Sequence, residues 1–173
     1  FAYLPRKFKI AVCGTPNDQA ATQVHDIGLY IKKNAEGEIG FQVLVGGGLG
    51  RTPVIGAEIC DFLPWKHLLT YLDAIMRVYN RFGRRDNKYK ARIKILVKAI
   101  GADAFREKVE AEWQHDKDGP ATLTEEEVSR CKSFFTDPAY EELDDNDAEV
   151  ASAAGKDVLF SHWIERSVIE HKT

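Results

Sequence analysis

The chain has 173 residues, 44% of them hydrophobic, and a formal net charge of −3. That length suffices for one domain with a real core, or one domain plus part of another. No apolar run approaches the ~20 residues needed to span a bilayer, so the sequence offers no membrane helix. Cys13, Cys60 and Cys131 are widely spaced and form no C-x-x-C pair, which argues against a disulfide framework and against a self-contained zinc or iron–sulfur site. A reducing cytoplasm is the default for such cysteine usage. The net charge hides an asymmetry: residues 1–100 carry a balance of +8 and residues 101–173 one of −11. The first part has the electrostatics of an anion binder, and the second reads as a solvated acidic segment.

The chain starts without Met inside what reads as structure, so a natural N-terminus is expected upstream. Leu4-Pro5-Arg6-Lys7-Phe8-Lys9 puts three cations at the head of an alternating run, Phe8 to Cys13. As a strand, this run sets Phe8, Ile10 and Val12 on one face and Lys7, Lys9, Ala11 and Cys13 on the other. Two ammonium groups side by side repel unless an anion lies between them. They fit either half of an anion cage or an edge strand charged against aggregation.

Gly14 to Asp18 is a turn cluster. Thr22 to Lys33 alternates as a long strand, Asn34 to Gly37 reads as a hairpin turn, and Ile39 to Val45 is a third strand. Short turns between three strands predict an antiparallel meander. Four glycines fall within Gly46–Gly50, a density that suits either close approach of a ligand or a surface turn. Arg51-Thr52-Pro53 follows instead of a helix, which weakens any dinucleotide fingerprint.

Pro64 can open the next helix. Its apolar stripe is Leu68, Leu72, Ile75, Met76, Tyr79 and Phe82, closed by Gly83. Residues 84–94 hold six cations, including Lys88 and Arg92, which share a face if a helix has begun by Lys88. Carboxylate or phosphate groups of a small ligand, or plain solvation, suit this cluster better than nucleic acid, because no extended basic stripe with interleaved aromatics is present. Further helices carry Ile93, Leu96, Val97 and Ile100, then Phe105, Val109 and Trp113. Gln114 to Thr122 reads as a polar linker. Thr124 with Glu127 is a capping box. Asp144 to Gly155 reads as an acidic loop or linker. Phe160, Trp163, Ile164 and Val168 mark a last amphipathic helix, and the stop at Thr173 reads as truncation.

Taken in order, the L-P-R-K-F-K stretch, Asn17-Asp18, Gly40 to Leu49, Leu63-Pro64 and the basic Asn87-to-Lys94 segment resemble the sirohaem-containing sulfite and nitrite reductases over roughly residues 3–113. The resemblance implies six-electron reduction of sulfite to sulfide, or of nitrite to ammonia. It implies sirohaem coupled to a [4Fe–4S] cluster in the intact enzyme, fed by ferredoxin or a flavoprotein. Substrate would sit in a cage of two lysines and two arginines, where Lys7 and Lys9 match the lysines and the arginines come from chain not present here. Arg92 matches a position that pairs with sirohaem carboxylates. Arg6 and Lys88 join it on the cofactor side, and Gly46, Gly47 and Gly48 match a loop passing close to the macrocycle. Lys9 tilts the substrate towards sulfite, since plant-type nitrite reductases carry asparagine there. The family's four cluster cysteines lie in its C-terminal repeat, so Cys13, Cys60 and Cys131 cannot be those ligands, and no metal ligand is assigned here.

The expected architecture is α+β: an antiparallel-dominated mixed sheet with helices on one face. Residues 1–113 would form the first sirohaem-domain repeat, 114–157 a helical and acidic linker, and 158–173 the start of a ferredoxin-like half-domain. The chain alone is expected to be inactive without the remainder of the reductase. Two other readings stand beside this one: a silent structural repeat, and an independent nucleotide- or anion-binding module built on a parallel sheet.

Overall fold

The structure is a computed structural model that describes residues 1–139 and 147–169. Phe1–Phe134 forms one compact unit and Phe135–Thr173 a second. The first unit is built on a four-stranded sheet of β1 (Ile10–Cys13), β2 (Ile27–Lys33), β3 (Ile39–Val45) and β4 (Ala57–Pro64), in spatial order 1-2-3-4. The pair β2–β3 is antiparallel, as the hairpin turn at Asn34–Gly37 requires, β3–β4 is antiparallel too, and the expected α+β class holds.

The expected meander does not hold for the first pair: β1 runs parallel to β2, with Ile10 opposite Ile27 and Cys13 opposite Tyr30. Parallel strands need a crossover connection, and residues 14–26 provide it without a full helix. Ala21 takes a left-handed conformation, φ 50°. The Asp18 Oδ1 accepts from the Thr22 N–H at 2.8 Å, and a 3-10 turn occupies Thr22–Val24, where the alternation had suggested strand. Gly28 lies under this turn; a Cβ there would stand 2.6 Å from the Thr22 carbonyl oxygen. The first strand is also shorter than its pattern. Ala11 and Cys13 are buried while Ile10 and Val12 are exposed.

The sequence reading missed β4. Phe41 faces Leu63 while Val43 faces Cys60, so β4 carries an extra residue there. Such a bulge breaks the two-residue period. Pro64 ends this strand and precedes a 3-10 turn at Trp65–His67 rather than opening a helix.

Helices α1 (Leu68–Phe82), α2 (Ile93–Ile100) and α3 (Ala102–Asp116) pack over one face. Ile27, Leu29, Val43, Val45 and Leu63 of the sheet meet Tyr71, Ile75, Tyr79, Ile93, Phe105 and Val109 in one core. Polar atoms within it are matched: the Trp113 indole N–H donates to Thr70 Oγ1 at 3.0 Å, and the Tyr71 hydroxyl donates to Glu110 Oε1 at 2.6 Å. Gly83 follows α1 without a positive φ; it makes room for Pro5, whose Cγ would lie 2.7 Å from a Cβ.

Helix α4 (Glu125–Lys132) begins as its sequence predicts, with Thr124 Oγ1 accepting from the Glu127 N–H at 3.2 Å. Within the second unit, α5 (Asp147–Lys156) contacts α6 (Val158–Ser167), and Asp157 caps the latter. The acidic stretch expected to be loop is therefore helical from Asp147 onwards, because Ala148, Ala151, Ala153 and Ala154 are strong helix formers. Residues 144–146 of that stretch lie outside the described residues.

Candidate functional site

Two basic segments far apart in sequence meet beside the glycine loop. The first is Leu4–Lys9. The buried Tyr79 of α1 holds it by the main chain: its hydroxyl accepts from the Arg6 N–H at 3.0 Å. The single phenol proton is shared between the carbonyls of Arg6 and Ala91, each 2.9 Å away. Burial pushes the Tyr79 hydroxyl above the usual phenol range, which keeps it a donor. Phe8 packs against the core between Lys7 and Lys9. Both lysines are solvent-exposed, and neither ammonium group has an ion-pair or hydrogen-bond partner among the described residues.

The second segment is Asn87–Lys94. It does not begin as an α-helix: Lys88–Lys90 is a 3-10 turn capped by Asn87, and α2 starts only at Ile93. Lys88 and Arg92 therefore do not share a helical face. Lys88 lies 5.3 Å from the Tyr89 ring centre, and its carbonyl accepts from the Arg6 guanidinium, which itself lies 5.8 Å from that ring.

Asp26 joins the two segments. It is 1% exposed and precedes β2. Its Oδ2 accepts from the Lys9 N–H at 3.1 Å. The Arg92 guanidinium grips the carboxylate through Nε at 3.1 Å and Nη2 at 2.9 Å to each oxygen. The Asp26 carbonyl accepts from the Gly46 N–H at 2.9 Å.

The glycine loop is thereby packed against its own chain. Gly46 has φ 79°, a conformation that favours glycine. A Cβ on Gly48 would stand 2.9 Å from Arg92 Nη2 and 3.1 Å from Lys94 Cδ. Gly47 abuts the carbonyls of Gln23 and His25. The strands on either side of the loop are antiparallel, and Gly48 bridges to Val54, so no strand–loop–helix nucleotide unit exists at these glycines. Lys94 closes the loop, donating to the carbonyls of Thr52 at 2.7 Å and Leu49 at 3.3 Å. Burial, reinforced by the Arg92 charge, pushes the Lys94 amine below the usual lysine range.

The result is a cleft of about 740 Å³ lined by Arg6, Arg51, Lys90, Arg92 and Lys94, with Leu49, Ile95 and the Tyr89 ring as flatter surface. No Asp or Glu lines it among the described residues. Only Arg92 has a carboxylate partner, Asp26. Such a cleft suits a ligand carrying carboxylate or phosphate groups. Of the residues expected from sequence, Arg6 and Arg92 line it, Lys88 holds Arg6, and Gly46–Gly48 form its backing. Lys7 and Lys9 lie outside its lining. In the sequence alone, Asp26 reads as one position of a strand and Tyr79 as part of a core stripe. The clue to Asp26 was a lone carboxylate inside an apolar alternation, since a buried acid needs partners.

Residues 1–117 match the family model described as the nitrite and sulphite reductase 4Fe-4S domain. The chain belongs to the nitrite and sulphite reductase family. It is 37% identical over 116 residues to the sulfite reductase [NADPH] hemoprotein beta-component of Chromohalobacter salexigens, covering 63% of this chain and 20% of that protein. It is 39% identical over 116 residues to the sulfite reductase [ferredoxin] of Synechococcus elongatus, covering 63% and 19%. The solved structure of Mycobacterium tuberculosis NirA protein aligns with a TM-score of 0.61 and 31% identity, over 66% of this chain and 21% of that one. The chain thus spans about a fifth of the length of the relatives it matches.

The cleft fits a cofactor that bears carboxylates, because Arg6, Arg51 and Lys90 in its lining have no carboxylate partner among the described residues. A [4Fe–4S] cluster does not fit the described residues. Cys13 on β1, Cys60 on β4 and Cys131 on α4 are free, and no three candidate ligands gather anywhere among the described residues.

Proposed function

We propose that this chain forms part of the sirohaem site of an assimilatory sulfite reductase haemoprotein and contributes two substrate-facing lysines, Lys7 and Lys9. The carrying observation is the cleft with five cations and no lining carboxylate, next to two lysines whose ammonium groups have no partner among the described residues. When bound, sirohaem with its coupled cluster supplies the six-electron reduction of sulfite to sulfide. This chain's own residues do the rest. Arg6, Arg51 and Lys90, with Arg92 held in place by Asp26, would neutralise and orient carboxylates at the macrocycle rim, with Lys88 bracing Arg6, Lys94 closing the glycine loop and Gly46–Gly48 shaping the wall. The lysine ammonium groups bind the anion, stabilise charge that develops on its oxygens, and can deliver protons to them. Electrons would come from ferredoxin or a flavoprotein. The remainder of the reductase would bring the cluster ligands and the opposing arginines. Sulfite is favoured over nitrite because the Chromohalobacter salexigens and Synechococcus elongatus relatives are named as sulfite reductases and a lysine, not an asparagine, stands at position 9.

The test uses the intact reductase containing this segment. Lys7→Met and Lys9→Met should each lower kcat/KM for sulfite by roughly 100-fold or more while the sirohaem absorption stays in place. Undiminished turnover in both variants would sink the assignment, and faster turnover of nitrite than of sulfite by the wild type would reassign the substrate. This chain alone should show no methyl-viologen-driven turnover, because the cluster ligands and opposing arginines belong to the remainder of the reductase.

A further inference from the structure

An anion-binding cleft with a buried carboxylate directly behind it is a contradiction if charge is all that matters. Asp26 cancels much of the charge of Arg92 and repels whatever anion the cleft takes. Neutralising Arg92 would also not require the main chain of another segment. Yet the same carboxylate that grips Arg92 accepts from the Lys9 N–H, and the carbonyl of the same residue accepts from the Gly46 N–H. Three separate pieces of chain take their position from one residue that is 1% exposed. We propose that Asp26 is the positioning residue of this site: it touches no ligand, and it sets where Lys9 and Arg92 stand relative to each other and to the glycine loop.

The inference deepens the cofactor reading and rests on it for the nature of the ligand, not for the positioning itself. Its signature is a change of sign. By electrostatics alone, Asp26→Asn adds one net positive charge beside the cleft and should tighten a polyanion. If position governs, the same variant should weaken it. The asparagine keeps the shape, but its amide N–H₂ turns towards a guanidinium that can only donate.

The experiment titrates the 173-residue chain and its Asp26→Asn variant with free-base uroporphyrin I, an octacarboxylate, by fluorescence at one fixed ionic strength. Amide exchange at Lys9 and Gly46 is followed in parallel by NMR. The expected result is binding about tenfold weaker in the variant, one decade being about 1.4 kcal/mol. Lys9 and Gly46 exchange should accelerate while Val43 and Ile75 in the core keep their protection. Equal or tighter binding by the variant overturns the proposal. Should the wild type not bind the porphyrin at all, the cofactor reading falls, and Asp26 is still judged by exchange: unchanged Lys9 protection in the variant overturns its role. Should the variant not fold, the wild type decides. A slowly exchanging Arg92 Nε–H with a protected Lys9 amide supports the clamp, and a freely averaging guanidinium with an unprotected Lys9 amide refutes it.

Discussion

The two basic segments are fastened in opposite ways. Leu4–Lys9 is held by its main chain: Tyr79 binds both the N–H and the carbonyl of Arg6, Asp26 binds the Lys9 N–H, and the Lys9 carbonyl accepts from Ile27 at 3.1 Å. Its lysine side chains are left free. Asn87–Lys94 is held largely by side chains, with Arg92 on Asp26 and Lys94 on the Leu49 and Thr52 carbonyls. A cation's proximity to a site therefore does not say whether it serves a ligand or the fold. What it is already bonded to does.

This contrast can be broken from the side-chain-held segment first. Arg92→Leu leaves the Asp26 carboxylate buried without its main partner and should cost about 3 kcal/mol of stability, read as a lower urea midpoint. A loss too small to detect would mean the pair is not clamped. A subtler change is expected at Lys94. Its folded amine is held below the usual lysine range by burial, so between that lowered value and 10.5 the unfolded chain binds more protons than the folded one. Stability should therefore rise with pH through that interval, and Lys94→Met should flatten the rise. Denaturation curves across alkaline pH measure the slope, and an unchanged slope would show that Lys94 is not buried in the fold. The smallest effect belongs to the main-chain-held segment. The double variant Lys7→Ala/Lys9→Ala should shift stability by no more than about 0.5 kcal/mol, because no fold contact is lost. A larger loss would move these lysines from the ligand's side to the fold's.

Much of the fold was legible because its signals are local. The stripe from Leu68 to Phe82, of which only Phe82 ends up exposed, the capping Thr124 and the strand Ile39–Val45 each declare themselves within one element. The errors arise where a partner outside the element, near or far in sequence, overrides the alternating pattern. The alternation of Thr22–Lys33 could not reveal a turn fixed by Asp18 and a left-handed Ala21, and the bulge in β4 is visible only against Phe41 and Val43. The site divides similarly. Its cations stood out as clusters, but the residues that arrange them looked ordinary. Tyr79 reads as core and Asp26 as one polar position in a strand, and their roles exist only once residues 66 and 73 positions apart come together.

Those separations bear on how the chain folds. Closing loops of such length must precede any reward from the contacts they bring. The carboxylate and the phenol can collect all their partners only once the sheet, α1 and the segment leading into α2 have come together. A partly folded chain thus keeps its positive charges dispersed, and a concentrated cationic surface emerges only with the completed native state.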